Sequence, residues 1–312
     1  MDGLILVDKP PGCTSHTIVN EIRKLTKNKK AGHYGTLDPM ATGLIIIAIG
    51  KATKLFPFFS KTDKAYSGKI KLGYSTDTYD AHGQPSSPPK KEFPSLEYLL
   101  KIMKKFEGPI DQIPPPYSAK KYKGKPLYTL ARQKKYIELK PSKVYVHSFH
   151  LKDYSPPLIS FEIKCSSGTY IRSIAHDLGQ QLGCGAHLYQ LSRTEVGNFH
   201  LKDAHSLEKI RILAEQGKFD EFLIPLEFLL PQFPKIILSP EGTALAKNGN
   251  LIYPEKIIKI LTSQEASLNG KEDIYRLFSL EGNLLALARR LPEKKCLHPF
   301  LVIDSGRDYN SN

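Results

Sequence analysis

Residues 32–49 read Gly32-His33-Tyr34-Gly35-Thr36-Leu37-Asp38-Pro39-Met40-Ala41-Thr42-Gly43-Leu44-Ile45-Ile46-Ile47-Ala48-Ile49. The second half is an apolar run, too short to span a bilayer, that predicts a strand. The first half is a glycine-punctuated loop with a single acidic side chain, Asp38. Just upstream lie Lys24, Lys27, Lys29 and Lys30. Asp38-Pro39 fits a helix N-cap with proline at N1, yet Thr42-Gly43 and the strand leave little helix to cap. A structural cap and a catalytic carboxylate both stay open at this point.

Working outward, Leu4 to Val7 predicts a short buried strand stopped by Lys9-Pro10-Pro11-Gly12. Thr14 or Ser15 can cap a helix whose apolar face is Ile18, Val19, Ile22 and Leu25. Its lysine-rich end suits the negative pole of the helix. Lys64 to Tyr74 alternates as a strand, with Tyr66, Gly68, Ile70 and Leu72 on one side. A polar loop (75–83), a proline-bounded linker (85–94) and a helix over Leu96 to Phe106 follow. Pro114-Pro115-Pro116 excludes regular helix and central strand. Strands are expected at Val144 to Phe149 and Leu158 to Cys165, then a helix over Thr169 to Leu182 with Ile171, Ile174, Ala175 and Leu178 at helical spacing. Strands and helices alternate without a repeating βαβ unit, so the fold class is α+β, a mixed sheet with helices against it. The character changes after Pro225. Residues 1–230 are expected to form the core and 231–312 a small β-rich module, with strands at Ile274 to Leu280 and Leu284 to Ala288.

In 312 residues, 45 Lys and Arg against 31 Asp and Glu leave a formal charge of +14. That excess points to an anionic partner, nucleic acid before membrane surface. An apolar content of 40% supports a well-buried core. Cys13, Cys165, Cys184 and Cys296 have neither metal-site nor redox spacing. The N-terminal residues lack the pattern of a signal peptide, so a cytoplasmic location is expected. No P-loop, dinucleotide fingerprint or G-x-S-x-G elbow occurs in the sequence.

Several residues carry two readings each. Arg172 falls on the first turn of a predicted helix, where the dipole disfavours a cation. It either pairs with a buried carboxylate or snorkels to solvent. His176, one turn on, is one candidate neighbour. Tyr66 is a core aromatic or a ring that stacks on a base. His33 fits a general base, a phosphate partner or a plain loop residue. Asp77 and Asp80 suggest Mg²⁺ or an Asx-turn, and their surroundings do not match a calcium loop. Lys120, Lys121, Lys123 and Lys125 lie on an arm that is either solvated charge or a phosphate grip. Residues alone reach a basic, nucleic-acid-binding protein and no reaction.

The segment 32–43 resembles the motif G-H-x-G-x-L-D-P-x-A-T-G of the TruB family, bacterial tRNA pseudouridine-55 synthases. Tyr34 is larger than the residue usual at its position. Lys64-Ala65-Tyr66, Pro114-Pro115-Pro116-Tyr117-Ser118-Ala119, Gly168-Thr169-Tyr170-Ile171-Arg172 and Leu191-Ser192-Arg193-Thr194 are similar to further family segments, in family order. The resemblance runs from Leu4 to about residue 200. It implies a pseudouridine synthase core, with an RNA-gripping basic arm near 118–136 and a C-terminal module loosely similar to a PUA domain. It further implies cofactor-free, metal-free isomerisation of a uridine in the TΨC loop of tRNA, reached by base flipping. By the same resemblance Asp38 is the catalytic aspartate, Tyr66 stacks on the base and is placed for proton abstraction, and Arg172 orients Asp38. Leu191 lines the pocket, His33 helps hold the everted loop, and Lys64, Tyr170, Lys120, Lys121 and Lys123 are substrate-binding. A monomer without an obligate protein partner is expected. The rival is a non-catalytic protein that binds or folds structured RNA with the same surface.

Overall fold

The apolar run ending at Ile49 is uninterrupted because both of its faces are buried. In a computed structural model that describes residues 1–118, 120–122, 124–133, 139–261 and 274–304, strand β1 (Gly3–Lys9) is followed by helix α1 (Ser15–Thr26), β2 (Ala31–His33) and β3 (Thr42–Ile49). Ile45, Ile47 and Ile49 of β3 point into one apolar core, and Leu44, Ile46 and Ala48 into a second. β1 divides likewise, with Ile5 and Val7 in the first core and Leu4 and Leu6 in the second. Alternate side chains leave opposite faces of a strand, so a strand with two covered faces loses its polar alternation.

The chain continues through β4 (Lys64–Leu72), α2 (Leu96–Lys104), β5 (Gly108–Gln112), β6 (Ser142–Ser155), β7 (Leu158–Cys165), α3 (Ile171–Gln181), β8 (Ala186–Val196) and α4 (Leu207–Glu215). These strands build an 11-stranded mixed sheet, whose main path runs from the short strand His205–Ser206 through β1, β3, β8, β4, β7 and β6 to β5. β3 and β8 run parallel at Thr42 and Gly43 against Ser192 and Arg193. β8, β4, β7, β6 and β5 are antiparallel neighbours. The mixed α+β expectation holds. The first core takes Ile18, Val19 and Ile22 of α1, Leu99, Ile102 and Met103 of α2, Ile174, Ala175 and Leu178 of α3, and Ile210 and Leu213 of α4. All four helices therefore pack on one side of the sheet.

Caps set the local boundaries. Thr14 accepts from Thr17 N at the start of α1, and Lys27 ends that helix in the left-handed region. The predicted strand at 144–149 extends to Ser142–Ser155, because β6 pairs with β5 and β7 along its length. The C-terminal residues form a five-stranded sheet from β9 (Lys235–Leu238), β10 (Ile257–Leu261), β11 (Ile274–Phe278), β12 (Leu284–Leu291) and β13 (Cys296–Val302), with α5 (Pro240–Lys247) against it. Ile274, Phe278, Leu284 and Leu287 of this sheet, with Ile303 just beyond β13, join the second core alongside Leu4, Leu6, Ile46 and Tyr34. The bulky Tyr34 thus faces the second core, stacked on Phe59 with ring centroids 5.0 Å apart. No helix among the described residues is long and apolar enough to cross a membrane.

Candidate active site

Three groups of contacts fix the loop that carries Asp38. Ser15 Oγ donates to Leu37 O at 3.0 Å and accepts from Leu37 N at 2.8 Å, tying the loop to α1. Lys9, wholly buried, donates to Pro10 O, Cys13 O and Pro39 O at 2.9, 2.9 and 3.3 Å. Arg193 reaches Gly35 O and Thr36 O from β8. The loop closes with Ala41 N donating to Asp38 O at 3.1 Å. No helix begins at Pro39, so the cap reading fails, and the Asp38 carboxylate is turned to a cation instead.

That cation is Arg172, 5% exposed, on the first turn of α3. Its Nε lies 2.8 Å from Asp38 Oδ2, and its Nη2 donates to Asp38 Oδ1 at 3.1 Å. Two guanidinium nitrogens facing the two carboxylate oxygens, one of them in a directed hydrogen bond, fix orientation as well as charge. Nη1 donates to Thr78 O at 3.1 Å and lies 3.5 Å from Asp80 Oδ2, while Nη2 also reaches Tyr117 O at 2.9 Å. Acceptors from three chain segments thus surround a cation at an otherwise poor helix position, although Nε makes its ion pair with Asp38 without a well-directed hydrogen bond. His176 does not pair with it; its ring stacks on Tyr79 at 3.8 Å between centroids. Asp80 also accepts from Thr78 Oγ1 and His82 N, an Asx-type arrangement. Among the described residues, no group of three or more His, Cys, Asp or Glu is arranged to hold a metal ion.

Asp38, Arg172, Tyr66, Lys64, Tyr170, Leu191 and Lys120 line one cleft of about 420 Å³. Residues far apart in sequence converge there because β4 and β8 are neighbours and the start of α3 abuts the loop. Tyr66 is 8% exposed and sits opposite Arg193 in the β4–β8 register. Tyr170 precedes α3, and the Gln112 side chain brackets its backbone, accepting from Tyr170 N at 2.7 Å and donating to Tyr170 O at 3.0 Å. Lys120 is exposed and donates to Ser142 Oγ at 2.6 Å. His33 is not among the cleft-lining residues. It lies half-buried on β2, and its buried Nδ1 has no hydrogen-bond partner among the described residues. Lys121 belongs to a two-residue strand, Lys121–Tyr122, described by its backbone alone. Lys123 and part of the arm near 118–136 lie outside the described residues.

Burial dominates the electrostatics. The Asp38 side chain keeps 37% exposure, yet withdrawal from water pushes its pKa above the usual aspartate value. Arg172 opposes that shift, Asp80 reinforces it, and Lys9 opposes it. Burial also pushes the Tyr66 phenol up, against the pull of Arg193. Lys64 is lowered to about 8 by burial and by Arg193. Burial, Arg193 and His16 lower His33, which favours its neutral form. Sequence reasoning missed Lys9, Ser15 and Arg193 in the site and gave Asp80 no pairing role. The signal available for Lys9 was its place beside Pro10 and Pro11 at a strand end; Arg193 offered only its adjacency to Leu191.

Residues 23–171 match the TruB family pseudouridylate synthase N-terminal domain, and residues 172–231 match the tRNA pseudouridylate synthase B C-terminal domain. The tRNA pseudouridine synthase B of Solibacter usitatus is 43% identical over 249 residues, 80% of this chain and 85% of that protein. The chain belongs to the TruB family. The protein of the same name from Dehalococcoides mccartyi is 36% identical over 289 residues, 93% of this chain and 92% of the relative. Among solved structures, a chain of a Cbf5-Nop10-Gar1 complex superposes with a TM-score of 0.70 at 25% identity, covering 97% of this chain and 86% of that one. Family membership makes the protein a pseudouridine synthase, an enzyme that isomerises uridine in tRNA.

Proposed function

We propose that the protein converts uridine to pseudouridine in tRNA, at position 55 of the TΨC loop, with Asp38 as the catalytic residue. The observation that carries this reading is the Asp38–Arg172 pair at the end of a cleft whose wall includes Tyr66 and Leu191. In the reaction the C1′–N1 bond breaks, the uracil turns, and C5 bonds to C1′. The C5 proton is lost and N1 gains one, so nothing is oxidised. Attack of the carboxylate on C1′, addition to C6 and support of a glycal-forming elimination all require one carboxylate beside sugar and base.

The target nucleotide must leave its stack to reach Asp38, at a cost of a few kcal/mol. Tyr66 supplies a ring on which the flipped base stacks. Its phenol, held high in the free protein, makes stacking the role assigned first. Arg172 holds the carboxylate in one orientation. Leu191 and Tyr170 shape the wall. Lys64 and Lys120 are cations at the cleft for flanking phosphates, joined by Lys121 and Lys123 on the arm, and His33 acts outside the cleft on the everted loop. The module at 231–312 is assigned a PUA-like RNA-binding role. The protein works as a cytoplasmic monomer.

Asp38→Asn on a tRNA transcript tests this. Pseudouridine formation is expected to vanish while tRNA binding persists. Conversion at the unaltered rate would remove Asp38 from the mechanism. Retained binding without conversion also accommodates the rival activity, since flipping a loop loosens RNA tertiary contacts whether or not a bond breaks.

A further inference from the structure

Arg193 is wholly buried, and no carboxylate pairs with it among the described residues. A guanidinium stays charged, and burying one without a counter-ion is costly. Its donors go to neutral groups: Nε to Leu44 O at 2.8 Å, Nη2 to Gly35 O at 3.1 Å and Nη1 to Thr36 O at 3.4 Å. Arg193 lies directly opposite Tyr66 in the β8–β4 register, both side chains line the cleft, and the guanidinium charge acts on the phenol.

These partners are not scattered. Gly35 and Thr36 lie just before Asp38, Leu44 lies just after the loop, and Tyr66 is in the wall of the cleft. One side chain therefore ties both ends of the carboxylate loop together directly beside the aromatic ring. A neutral amide could satisfy carbonyls with a smaller desolvation cost, whereas a full positive charge beside a phenol oxygen attracts it more strongly than an amide dipole does. The Cβ position at Gly35 lies 3.4 Å from both Arg193 Nη1 and Lys64 Cε, so the two cationic side chains flank the loop backbone there.

We propose that Arg193 is a positioning residue for the isomerisation, acting through Tyr66 by fixing the phenol against the Asp38 loop. The proposal rests on the roles given above to Asp38 and Tyr66. Releasing the ring displaces the flipped base relative to the carboxylate. The lysines that meet the RNA backbone are untouched, so rate falls and affinity does not.

The test uses the full chain with a tRNA transcript, measuring single-turnover rate and Kd for wild type, Arg193→Lys, Tyr66→Phe and the double variant. R193K keeps the charge and loses the fork. Its rate is expected to fall on the order of 100-fold, as for a displacement of about 1 Å at a reacting centre, with Kd within about threefold of wild type. In the Y66F background the same change is expected to cost less than about tenfold, because the two residues act as one unit. An R193K rate within about threefold of wild type, equal losses of rate and affinity, or fully multiplicative losses in the double variant would each overturn the proposal. Where R193K does not fold, Arg193→Gln enters the same comparison, and failure of both to fold assigns Arg193 to the fold alone. Asp38→Asn runs beside them. If D38N is active, the reading of the site fails; if D38N is inactive and R193K normal, only the role of Arg193 fails.

Discussion

Asp38 is held between two opposed influences, and their balance is measurable. Burial raises its pKa, Asp80 raises it further, and Arg172 lowers it. The reaction needs the carboxylate, so activity is present above the raised pKa and is lost as pH falls through it. The acid limb of the single-turnover rate is therefore expected above the ordinary aspartate value of 3.8. Arg172→Ala removes the lowering influence and leaves Asp38 and Asp80 facing each other. That limb should move to still higher pH, and the maximal rate should drop by about tenfold or more as the fork that aims the carboxylate disappears. The same substitution strands the Asp38 and Asp80 carboxylates, at a cost below that of a fully buried pair (about 3–5 kcal/mol) because Asp38 keeps 37% exposure, so urea denaturation belongs beside the rate measurement. A pH–rate profile for R172A that superimposes on the wild-type profile would deny Arg172 any hold on Asp38. Equal losses of rate and tRNA affinity would make it an RNA contact instead.

At the scale of elements, the site depends on the close approach of β3 to β8. Gly43 has φ +94°, and a Cβ there would fall 2.4 Å from Arg193 O and 2.7 Å from Ser192 Oγ. Gly43→Ala must either part the two strands or distort the loop, and its backbone is strained in any case. A loss of about 2–4 kcal/mol in urea denaturation is expected, with Gly32→Ala within about 0.5 kcal/mol as the control, since nothing lies within 4 Å of a Cβ at Gly32. Comparable stability of the two variants would refute the close-approach account. Elements such as α1, β4 and α3 were legible in the sequence because each buries a regular stripe, which periodicity registers, and β3 because an unbroken apolar run marks a strand covered on both faces. Arg172 was legible too, as a cation where the helix dipole argues against one. Arg193 was not. An arginine between Ser192 and Thr194 looks like any strand residue, and only the register of β8 against β4 and β3 places it wholly inside. Asp80 was hidden for a related reason: its loop reads as an ordinary Asx-turn, and the second use of its carboxylate depends on a helix that begins ninety residues later.

At the scale of the whole molecule, the two sheets share a core. Leu4, Leu6, Leu44 and Ile46 from the large sheet meet Ile274, Phe278, Leu284 and Leu287 from the small one. Phe58 packs near Phe233 and Phe300, with centroids at 5.9 and 6.4 Å. Lys51 pairs with Asp304 at 2.8 Å, and Lys54 donates to Val302 O at 2.9 Å. Removing residues 232–312 would uncover several of these side chains, each worth about 1.5–3 kcal/mol when fully buried. Against a typical total stability of about 5–15 kcal/mol, that loss is decisive. The truncated chain is expected to melt at a distinctly lower temperature and to bind an apolar dye that the full chain ignores. A melting temperature equal to that of the full chain would show that the shared core contributes little. The outcome also governs how any RNA-binding role of the small sheet is read. If truncation loosens β1 and β3, it loosens the loop that begins beyond β2 and ends at Thr42, and Asp38 with it. Weaker tRNA binding by the truncated chain would then mix lost RNA contacts with a deformed cleft. Phe58→Ala, which thins the joint and leaves every residue of the small sheet present, separates the two. A fall in rate and melting temperature at constant Kd would assign the shared core to holding the catalytic loop and leave RNA affinity to the surface of the small sheet.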